Sequence, residues 1–376
     1  MVTGKKLSSD PRHRLNTICP YYTMFPLEFP IRILNRTAKD TVVLDPFCGR
    51  GTTNYAARAK GIQSFGIDTS PIAVAIAKAK LATTSLEKVL ALIERLLERA
   101  ETCEVPKGEF WDWAYHPDTL DQICKLRTGL LKTKETDESV MLRALMLGCL
   151  HGPQQKDINN SSYFSNQMPR TFSSKPDYSV RYWKERDLKP LKIDIRGPLY
   201  KKASRVLNNR LNDISSTKNI FLGDSRHRAT FKKLSKSVSL VITSPPYYGM
   251  TTYVQDQWLR HWFLGGSSEV NYERTPQVSH ASANDFSTSL AQVWDNIYSV
   301  SQDQIKMVIR FGALASRSID YDEILLDSLR KSIAPWKIYC RRKVELAEKG
   351  RRQAEHMGAR VQSTPLQEMD YFIQLD

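Results

Sequence analysis

The sequence has 376 residues, 41% of them hydrophobic, and its 55 Lys and Arg outnumber 40 Asp and Glu, which gives a net charge of +15. This length predicts two or three domains, and the charge indicates either a nucleic-acid partner or a basic surface that aids solubility. Six scattered cysteines without a Cys-x-x-Cys pair argue against zinc, and we predict no metal site. The sequence has no secretory signal and no apolar run of membrane-spanning length, which predicts a soluble, cytoplasmic protein.

The N-terminal part of the chain alternates between strand and helix patterns. Apolar, β-branched runs predict strands at 41–45 and 64–67. Helices are predicted at 52–59 and 71–81, the second of them starting from a Ser-Pro pair. Alternation at this spacing implies a parallel sheet with helices on its faces.

A glycine-containing turn joins the first strand to the first helix. Residues 45–53 read Asp-Pro-Phe-Cys-Gly-Arg-Gly-Thr-Thr. The two glycines let the backbone approach a ligand at the carboxyl end of a strand, although an ordinary tight turn also accounts for them. The spacing fits neither a dinucleotide loop nor a nucleoside-triphosphate loop. Asp45 suits a cationic ligand group, and Thr52 or Thr53 is expected to cap the helix.

Asp68 ends the second predicted strand, about 20 residues beyond Asp45. An acidic residue in this position commonly binds ribose hydroxyls on α/β sheets. It can also complement the dipole of the helix that follows. Beside the glycine-containing turn, the ribose contact is the interpretation that we favour.

The middle of the chain departs from the strand–helix alternation. An amphipathic helix is predicted at 85–100, and the pattern stays mostly helical over 82–217. We interpret 82–217 as a large insertion into one α/β domain, whose two parts are 13–81 and 218–376. The later strands are predicted at 219–222, 239–243, 306–309 and 371–373, and the later helices at 284–300 and 322–332.

The segment 243–248, Thr-Ser-Pro-Pro-Tyr-Tyr, follows one of these strands directly. Two consecutive prolines fix the backbone and remove two donors, so the strand ends in a rigid turn. A hydroxyl, fixed carbonyls and two aromatic rings lie at its tip. Such a turn suits a site that grips a flat, polar, uncharged group such as a nucleobase amine.

Together, these motifs resemble those of the S-adenosylmethionine-dependent DNA amino-methyltransferases. The run from Asp45 looks like that family's cofactor motif, and Thr-Ser-Pro-Pro-Tyr looks like its catalytic motif. The segments 22–26 and 223–225 resemble its contacts to the methionine part and to the adenine of the cofactor. The resemblance implies a Rossmann-like methyltransferase sheet with helices on both faces, interrupted by the helical insertion. The cofactor-binding residues that it implies are Phe25, Pro26, Asp45, Pro46, Phe47, Gly49, Gly51, Thr52, Asp68 and Asp224.

The resemblance also implies a reaction and partners. The catalytic residues would be Ser244, Pro245, Pro246 and Tyr247. Catalytic motifs that begin with Ser are associated with the N4 amine of cytosine, and those that begin with Asp mostly with the N6 amine of adenine, so adenine stays the alternative to cytosine. The implied partners are double-stranded DNA and a cognate restriction endonuclease of a bacterial restriction–modification system.

Other activities are less well matched. Methylation of cytosine C5 would use a cysteine that usually follows a proline, and no Pro-Cys dipeptide occurs. An RNA base-amine methyltransferase and a catalytically silent DNA-binding subunit remain as further alternatives. The intact motif residues argue against the silent subunit.

The proposed chemistry also follows from the residue types. An exocyclic amine is a poor nucleophile because its lone pair is delocalised into the ring. Hydrogen bonds from the amine to Ser244 Oγ and to the Pro245 carbonyl would turn the lone pair toward the methyl donor for in-line displacement. Tyr247 would stack on the target base, which must leave the duplex, and Tyr248 would form a second wall.

Two basic segments suggest contacts to DNA. Residues 168–184 mix basic and aromatic side chains, which suits phosphates and unstacked bases but also suits an ordinary surface that packs its rings on the core. A second basic run, 341–352, is predicted on a helix and is either a phosphate contact or a solvated face. The candidate DNA-binding residues are Arg170, Tyr178, Arg181, Tyr182, Lys184, Tyr248 and Arg310.

Overall fold

The computed structural model describes residues 11–21, 25–99, 103–153, 161–168, 175–207, 216–234, 237–248, 254–270, 282–312, 320–344 and 368–376. The chain divides into two compact units. The sheet unit comprises residues 22–77, 211–252 and 275–376, and the helical unit comprises 1–21, 78–210 and 253–274. The domain limits expected from the sequence, near residues 81 and 217, stay predictions beside this division.

One sheet of seven strands is formed by the described residues of the sheet unit. The strands are β1 (Val42–Asp45), β2 (Gln63–Asp68), β3 (Ile220–Leu222), β4 (Val238–Thr243), β5 (Ser301–Gly312), β6 (Trp336–Lys343) and β7 (Glu368–Leu375). Their order is β3-β2-β1-β4-β5-β7-β6, and β7 runs antiparallel to both of its neighbours. The pairs from β3 to β5 are parallel. The predicted Rossmann-like α/β fold is confirmed.

Helices and short 3-10 segments connect the strands and build the helical unit. The helices are α1 (Glu28–Leu34), α2 (Thr52–Lys60), α3 (Pro71–Leu81), α4 (Leu86–Glu98), α5 (Glu109–Ala114), α6 (Pro117–Lys132), α7 (Asp137–Cys149), α8 (Pro176–Glu185), α9 (Arg196–Val206), α10 (Trp258–Phe263), α11 (Ala283–Ser299) and α12 (Tyr321–Lys331). The 3-10 segments are Pro11–Thr17, Thr217–Asn219, Arg228–Phe231 and Val254–Gln257.

Local sequence sets several helix ends. Ser70 Oγ accepts the Ala73 amide at 3.3 Å just before α3, whose first residue is Pro71, as the Ser-Pro pair predicted. Ser85 caps α4 in the same way by accepting the Lys88 amide. Gly61 ends α2 at φ +65°, in the left-handed region that glycine adopts without a steric penalty.

The core of the sheet unit joins the strands to α11 and α12. Leu44, Val241 and Ile309 are fully buried on β1, β4 and β5 in one cluster with Trp294 of α11. Each such side chain contributes about 1.5–3 kcal/mol when it is withdrawn from water. Trp294 Nε1 also donates to Ser328 Oγ at 2.9 Å, which satisfies the indole group in the core.

The helical unit has its own aromatic core. The ring centroids of Trp111 and Trp262 lie 4.5 Å apart, and Trp258 lies 5.7 Å from Trp111. Buried Arg260 donates to the carbonyls of Leu147 and Pro20 at 3.0 and 2.9 Å. No helix in the described part of the chain is long and apolar enough to cross a membrane.

Two local expectations were wrong. Gly51, at φ +72°, precedes α2 in the N-cap position with no side-chain cap, so neither Thr52 nor Thr53 caps the helix. The strand predicted at 306–309 is confirmed as the central part of β5, which continues beyond both of its ends. The basic residues 341–343 belong to β6 and not to a helix, because an edge strand keeps long charged side chains in solvent.

Candidate active site

The two motifs meet where the strand order reverses. β1 pairs in parallel with β4, with Leu44 opposite Val241, so the carboxyl ends of both strands lie side by side. β2 and β3 extend the sheet on one side of this pair, and β5 extends it on the other. Open α/β sheets bind ligands in the crevice at this kind of switch point.

A buried hydrogen bond joins the motifs directly. Thr243, the last residue of β4, donates its hydroxyl to Asp45 Oδ1 at 2.7 Å, and both side chains are fully buried. The residues are 198 positions apart in the sequence. The fold therefore brings the glycine-containing turn and the Thr-Ser-Pro-Pro-Tyr turn into contact.

Asp45 retains an unused acceptor in this environment. Its Oδ1 also accepts the Phe47 amide at 3.2 Å, whereas its buried Oδ2 has no hydrogen-bond partner among the described residues. Burial raises the pKa of Asp45 to about 6, against the hydrogen bond from Thr243 that lowers it. A buried carboxylate oxygen without a donor is unfavourable by itself, so the site fits a ligand that brings a donor or a positive charge.

The turn after β1 is fastened at both of its sides. The Pro46 carbonyl accepts the Ser225 hydroxyl at 2.6 Å, and the Cys48 amide donates to the Ile67 carbonyl at 2.9 Å. Asn296 in turn donates to the Ser225 carbonyl at 3.0 Å. The ring of Phe47 packs on the core cluster of the sheet unit. The turn is thus held in one conformation by β2, α11 and the segment after β3.

The two glycines of the turn lie in different surroundings. Gly49 has φ +49°, and a Cβ built on it would meet no atom within 4 Å. A Cβ on Gly51 would lie 2.8 Å from the Ala77 Cβ, so Gly51 is required for close packing on α3. The open space over Gly49 is compatible with a ligand, whereas packing alone explains Gly51. Thr52 follows as the first residue of α2 and is buried.

Asp68 also supports the turn. Its Oδ2 accepts the Gly49 amide at 2.9 Å, and its Oδ1 accepts the Ser70 amide at 2.8 Å. Burial raises its pKa to about 6, although these two amides lower it. The side chain is half-buried at the end of β2, and each carboxylate oxygen has a second lone pair for a further donor.

Asp224 forms an ion pair that the sequence did not indicate. Its carboxylate accepts Arg226 Nε at 3.0 Å and Nη2 at 2.5 Å. Burial raises the pKa of Asp224, but the hydrogen bonds from Arg226 outweigh it and leave the pKa below its ordinary value. In the segment that was expected near the adenine ring, the charge of Asp224 is therefore neutralised by Arg226. The one sequence signal for this ion pair is that the two residues are two positions apart.

The segment 22–26 was expected to contact the methionine part of the cofactor, and only its last two residues are among the described ones. Phe25 packs edge-on against Phe29, with ring centroids 5.1 Å apart, and the Pro26 carbonyl accepts the Phe29 amide at 3.1 Å. Residues 22–24 of the same predicted segment lie outside the described residues. Phe25 and Pro26 are half-buried at the start of α1.

In the turn after β4, Tyr247 is held at both its ring and its hydroxyl. The hydroxyl donates to Glu368 Oε1 at 2.9 Å, and the ring stands perpendicular to Phe311, with centroids 5.8 Å apart. Burial, and then the Glu368 charge, raise the pKa of Tyr247 above its ordinary value, whereas the Ser244 hydroxyl lowers it. Ser244 is half-buried, and Tyr248 packs edge-on against Phe286 at 5.5 Å.

The two prolines of this turn differ in exposure. Pro245 is buried and Pro246 is half-buried. The sequence assigned no role to Glu368 or to Phe311. Only the antiparallel pairing of β5 with β7 brings them to the turn, and no local pattern encodes that pairing.

The burial of Arg310 argues against its expected contact to DNA. Its guanidinium is 1% exposed and donates to both oxygens of Asp370, at 2.7 and 3.0 Å. It also lies over the ring of Phe29 at 4.0 Å from the centroid. Arg310 thus has a structural role within the sheet unit, where Arg32 joins the same carboxylate at 2.9 Å.

The other candidates for DNA contact lie on α8. Tyr178 is 54% exposed, with the Arg181 guanidinium 6.0 Å from its ring centroid. Lys184 is paired with Glu109, and Tyr182 is half-buried. Arg170 lies outside the described residues. These contacts stay predictions.

One comparison with known proteins covers the glycine-containing turn. A family model described as DNA methylase, of the N6/N4 type, matches residues 4–79. Two structures of the rRNA methyltransferase AviRa from Streptomyces viridochromogenes are 12% identical over 98% of this chain and 95% of theirs, with TM-scores of 0.34 and 0.33. No curated protein matches the chain. The family match covers the segment that carries the glycine-containing turn and ends before the Ser-Pro-Pro-Tyr turn.

Proposed function

We propose that this chain transfers a methyl group from S-adenosylmethionine to the N4 amine of cytosine in duplex DNA. The match to N6/N4-type DNA methylases supports methylation of a base amine. The single observation that carries the proposal is the buried bond between Thr243 and Asp45, because it joins a cofactor-type turn to a Ser-Pro-Pro-Tyr turn. Ser244 as the first residue of that motif favours cytosine.

The residues around Asp45 fit the cofactor. The buried Oδ2 of Asp45 would accept the ammonium group of its methionine part, and Phe25 and Pro26 would flank that part. Asp68 would accept the ribose hydroxyls with its remaining lone pairs, and Asp224 would lie near the adenine. Bound there, S-adenosylmethionine would supply an electrophilic methyl group on a sulfonium.

The turn after β4 would prepare the amine. Ser244 Oγ and the Pro245 carbonyl would accept its two N–H groups and so orient the nitrogen lone pair for in-line attack. The methylated nitrogen loses a proton readily, and no strong base is required of the chain. Tyr247 would stack on a base that has left the duplex, with its ring already held by Phe311 and Glu368.

The same geometry accommodates close alternatives. Adenine N6 is the first, because the amine chemistry is the same. Methylation of an RNA base amine and a silent DNA-binding subunit rank lower. A cognate restriction endonuclease is part of the main proposal, as the partner of a sequence-specific modification enzyme.

Product analysis tests the proposal. The full chain is incubated with labelled S-adenosylmethionine and mixed-sequence duplex DNA, and the nucleosides are analysed by mass spectrometry. We expect N4-methylcytosine. N6-methyladenine would select the alternative, and label found in RNA alone would refute both DNA activities. Cofactor binding without any methylated nucleoside would favour the silent subunit.

Ser244→Ala tests the role of the turn. The variant should lower kcat by roughly tenfold to a hundredfold, because the amine loses an orienting acceptor. Its Kd for the cofactor should stay unchanged in calorimetry. Ser299→Ala is the matched control, since its hydroxyl bonds within the last turn of α11. Equal losses of turnover and cofactor affinity in Ser244→Ala would contradict the assigned role.

A further inference from the structure

The segment after β3 lies along the carboxyl end of the sheet. The Gly223 amide donates to the Asp68 carbonyl at 3.0 Å, so this segment begins beside the end of β2. The Ser225 hydroxyl donates to the Pro46 carbonyl at 2.6 Å, which joins the segment to the turn after β1. Asp224 lies between these two contacts, at the edge of the sheet where open α/β folds bind ligands.

The carboxylate of Asp224 is occupied by its own segment. Its Oδ1 accepts the Arg226 amide at 2.9 Å and Arg226 Nε at 3.0 Å. Its Oδ2 accepts Nε at 3.0 Å and Nη2 at 2.5 Å. A carboxylate offers about four lone-pair sites, so these contacts use its capacity. A ligand amine would have to displace one of them, and Asp224 is therefore poorly suited to bind the N6 amine of an adenine directly.

Other groups hold this turn without the guanidinium of Arg226. The Asp224 carbonyl accepts the His227 amide at 3.0 Å and the Thr230 hydroxyl at 2.8 Å. The His227 carbonyl in turn accepts the Thr230 amide at 3.0 Å. The conformation of the turn is thus supported by bonds in which the Arg226 side chain takes no part.

The guanidinium of Arg226 is held in a fixed plane and presents further donors. Two donors on one carboxylate form a fork, which sets the orientation of the group. A guanidinium has five N–H donors. The fork uses one on Nε and one on Nη2, so the other three point away from Asp224. Hydrogen bonding to Asp224 raises the pKa of Arg226, and the side chain is 21% exposed, so a charged donor group is accessible from solvent.

We propose that Arg226 binds the adenine of S-adenosylmethionine by donating to a ring nitrogen, an assignment that rests on the proposed function. A ribose bound at Asp68 brings its adenine toward the neighbouring segment, which begins at Gly223. The acceptors on the adenine are N1, N3 and N7, and they match a donor-only group. Asp224 is then a positioning residue, because it fixes the guanidinium without contacting the base. The site recognises ring acceptors and not the N6 amine.

Cofactor analogues test the assignment on the wild-type chain. The probe is S-adenosylhomocysteine, the cofactor without its methyl group, and calorimetry measures its Kd without any methyl transfer. Analogues replace N1, N3 or N7 by C–H, or lack the N6 amine. One of the three deaza analogues should bind roughly tenfold to a hundredfold more weakly, as for a lost hydrogen bond to a charged group. Removal of the amine should change Kd by less than about threefold.

Two results with these analogues would overturn the assignment. The first is wild-type affinity for all three deaza analogues, because no ring nitrogen would then accept a bond. The second is a loss of about tenfold on removal of the amine, since this would make the N6 amine the recognised group.

Arg226→Met tests the side chain directly. The variant keeps an unbranched chain without donors, so it should bind S-adenosylhomocysteine roughly tenfold more weakly and no longer discriminate against the weak deaza analogue. Arg330→Met is the matched control, because Arg330 forms an exposed pair with Glu323 on α12 of the same unit. Thermal unfolding checks that both variants are folded, and the wild-type analogue series decides if Arg226→Met is not. Wild-type affinity in folded Arg226→Met would contradict the assignment.

The role of Arg226 and the proposed activity can fail separately. Binding of S-adenosylhomocysteine with the expected analogue pattern, but without any methylated nucleoside, would contradict the proposed methyl transfer and support the role of Arg226. Methylated DNA together with an unchanged Kd in Arg226→Met would do the reverse. A wild-type chain that does not bind S-adenosylhomocysteine would contradict both.

Discussion

At the scale of single residues, side chains of the candidate site are held in position by residues outside the two motifs. Tyr247 would be an ordinary exposed aromatic residue without Glu368 at 2.9 Å from its hydroxyl and Phe311 against its ring. The acceptor and the ring both come from the β5–β7 pair, where Glu368 lies opposite Gly312. The orientation of Tyr247 is therefore set from outside its own turn.

Glu368→Ala should loosen that orientation. We expect kcat/KM for DNA to fall about tenfold, or ~1.4 kcal/mol, with little change in cofactor affinity. Glu368→Gln keeps an acceptor oxygen and should restore most of the loss. Steady-state methylation kinetics of the three proteins measure the effect. Wild-type kinetics in Glu368→Ala would show that the bond does not position the ring.

Asp45 gives the fold a measurable pH dependence. Burial raises its pKa from 3.8 to about 6, so the folded protein holds this proton more tightly than the unfolded chain. The associated stability is complete below about pH 4 and is lost as the pH rises through 6. Relative to Asp45→Asn, the wild type should lose ~2 kcal/mol of unfolding free energy between pH 4 and 7. Urea unfolding at both pH values measures it, and a pH-independent difference would contradict it.

At the scale of elements, the turn between β1 and α2 carries two demands at once. Under the proposed function it presents a ligand surface at Gly49, and it packs closely on α3 at Gly51. The glycine pattern indicated a turn but could not separate these demands, because the position of α3 is a tertiary property. The structure explains Gly51 by its packing on α3 and leaves open space over Gly49.

Alanine substitutions should separate the two glycines. Gly49→Ala introduces only the left-handed backbone penalty, about 1–2 kcal/mol of stability. Gly51→Ala adds a collision with Ala77, and we expect a total loss of about 3–5 kcal/mol. Urea denaturation of both variants measures the difference. Equal losses would mean that α3 moves away without resistance.

At the scale of the whole molecule, β7 completes both the sheet and its charge balance. Asp370 lies opposite Arg310 in the β5–β7 ladder, and it accepts hydrogen bonds from Arg310 and Arg32. Because Arg310 is buried, the Asp370 carboxylate is needed to offset the free-energy cost of removing the guanidinium charge from water.

Asp370→Ala should therefore be among the more destabilising single changes in the sheet unit. Leaving Arg310 buried without its carboxylate should lower the unfolding free energy by about 3–5 kcal/mol. Lys337→Ala is the comparison, because it breaks an exposed pair with Asp376 and should change stability by less than about 1 kcal/mol. Chemical denaturation compares them, and similar small effects would show that Arg310 finds another partner.

The sequence predicted most of this architecture because local signals mark it. Apolar runs, the Ser-Pro helix start at Pro71 and the left-handed Gly61 are encoded within a few residues. The pairing of Asp224 with Arg226, the burial of Arg310 and the strand at 336–343 escaped prediction. A basic segment has the same sequence pattern whether it lies on a helix, on an edge strand or in a buried ion pair. Only the strand pairing in the folded sheet distinguishes these three contexts.

The late position of β7 has a consequence for the newly made chain. Glu368 follows Tyr247 by 121 residues, and Asp370 follows Arg310 by 60. While a ribosome is still making the stretch between them, the Thr-Ser-Pro-Pro-Tyr turn lacks the anchor at Glu368, and Arg310 lacks the counter-charge of Asp370. The nascent sheet must therefore wait for its last strand, and a premature stop before β7 would yield a chain with both motifs intact and no completed site.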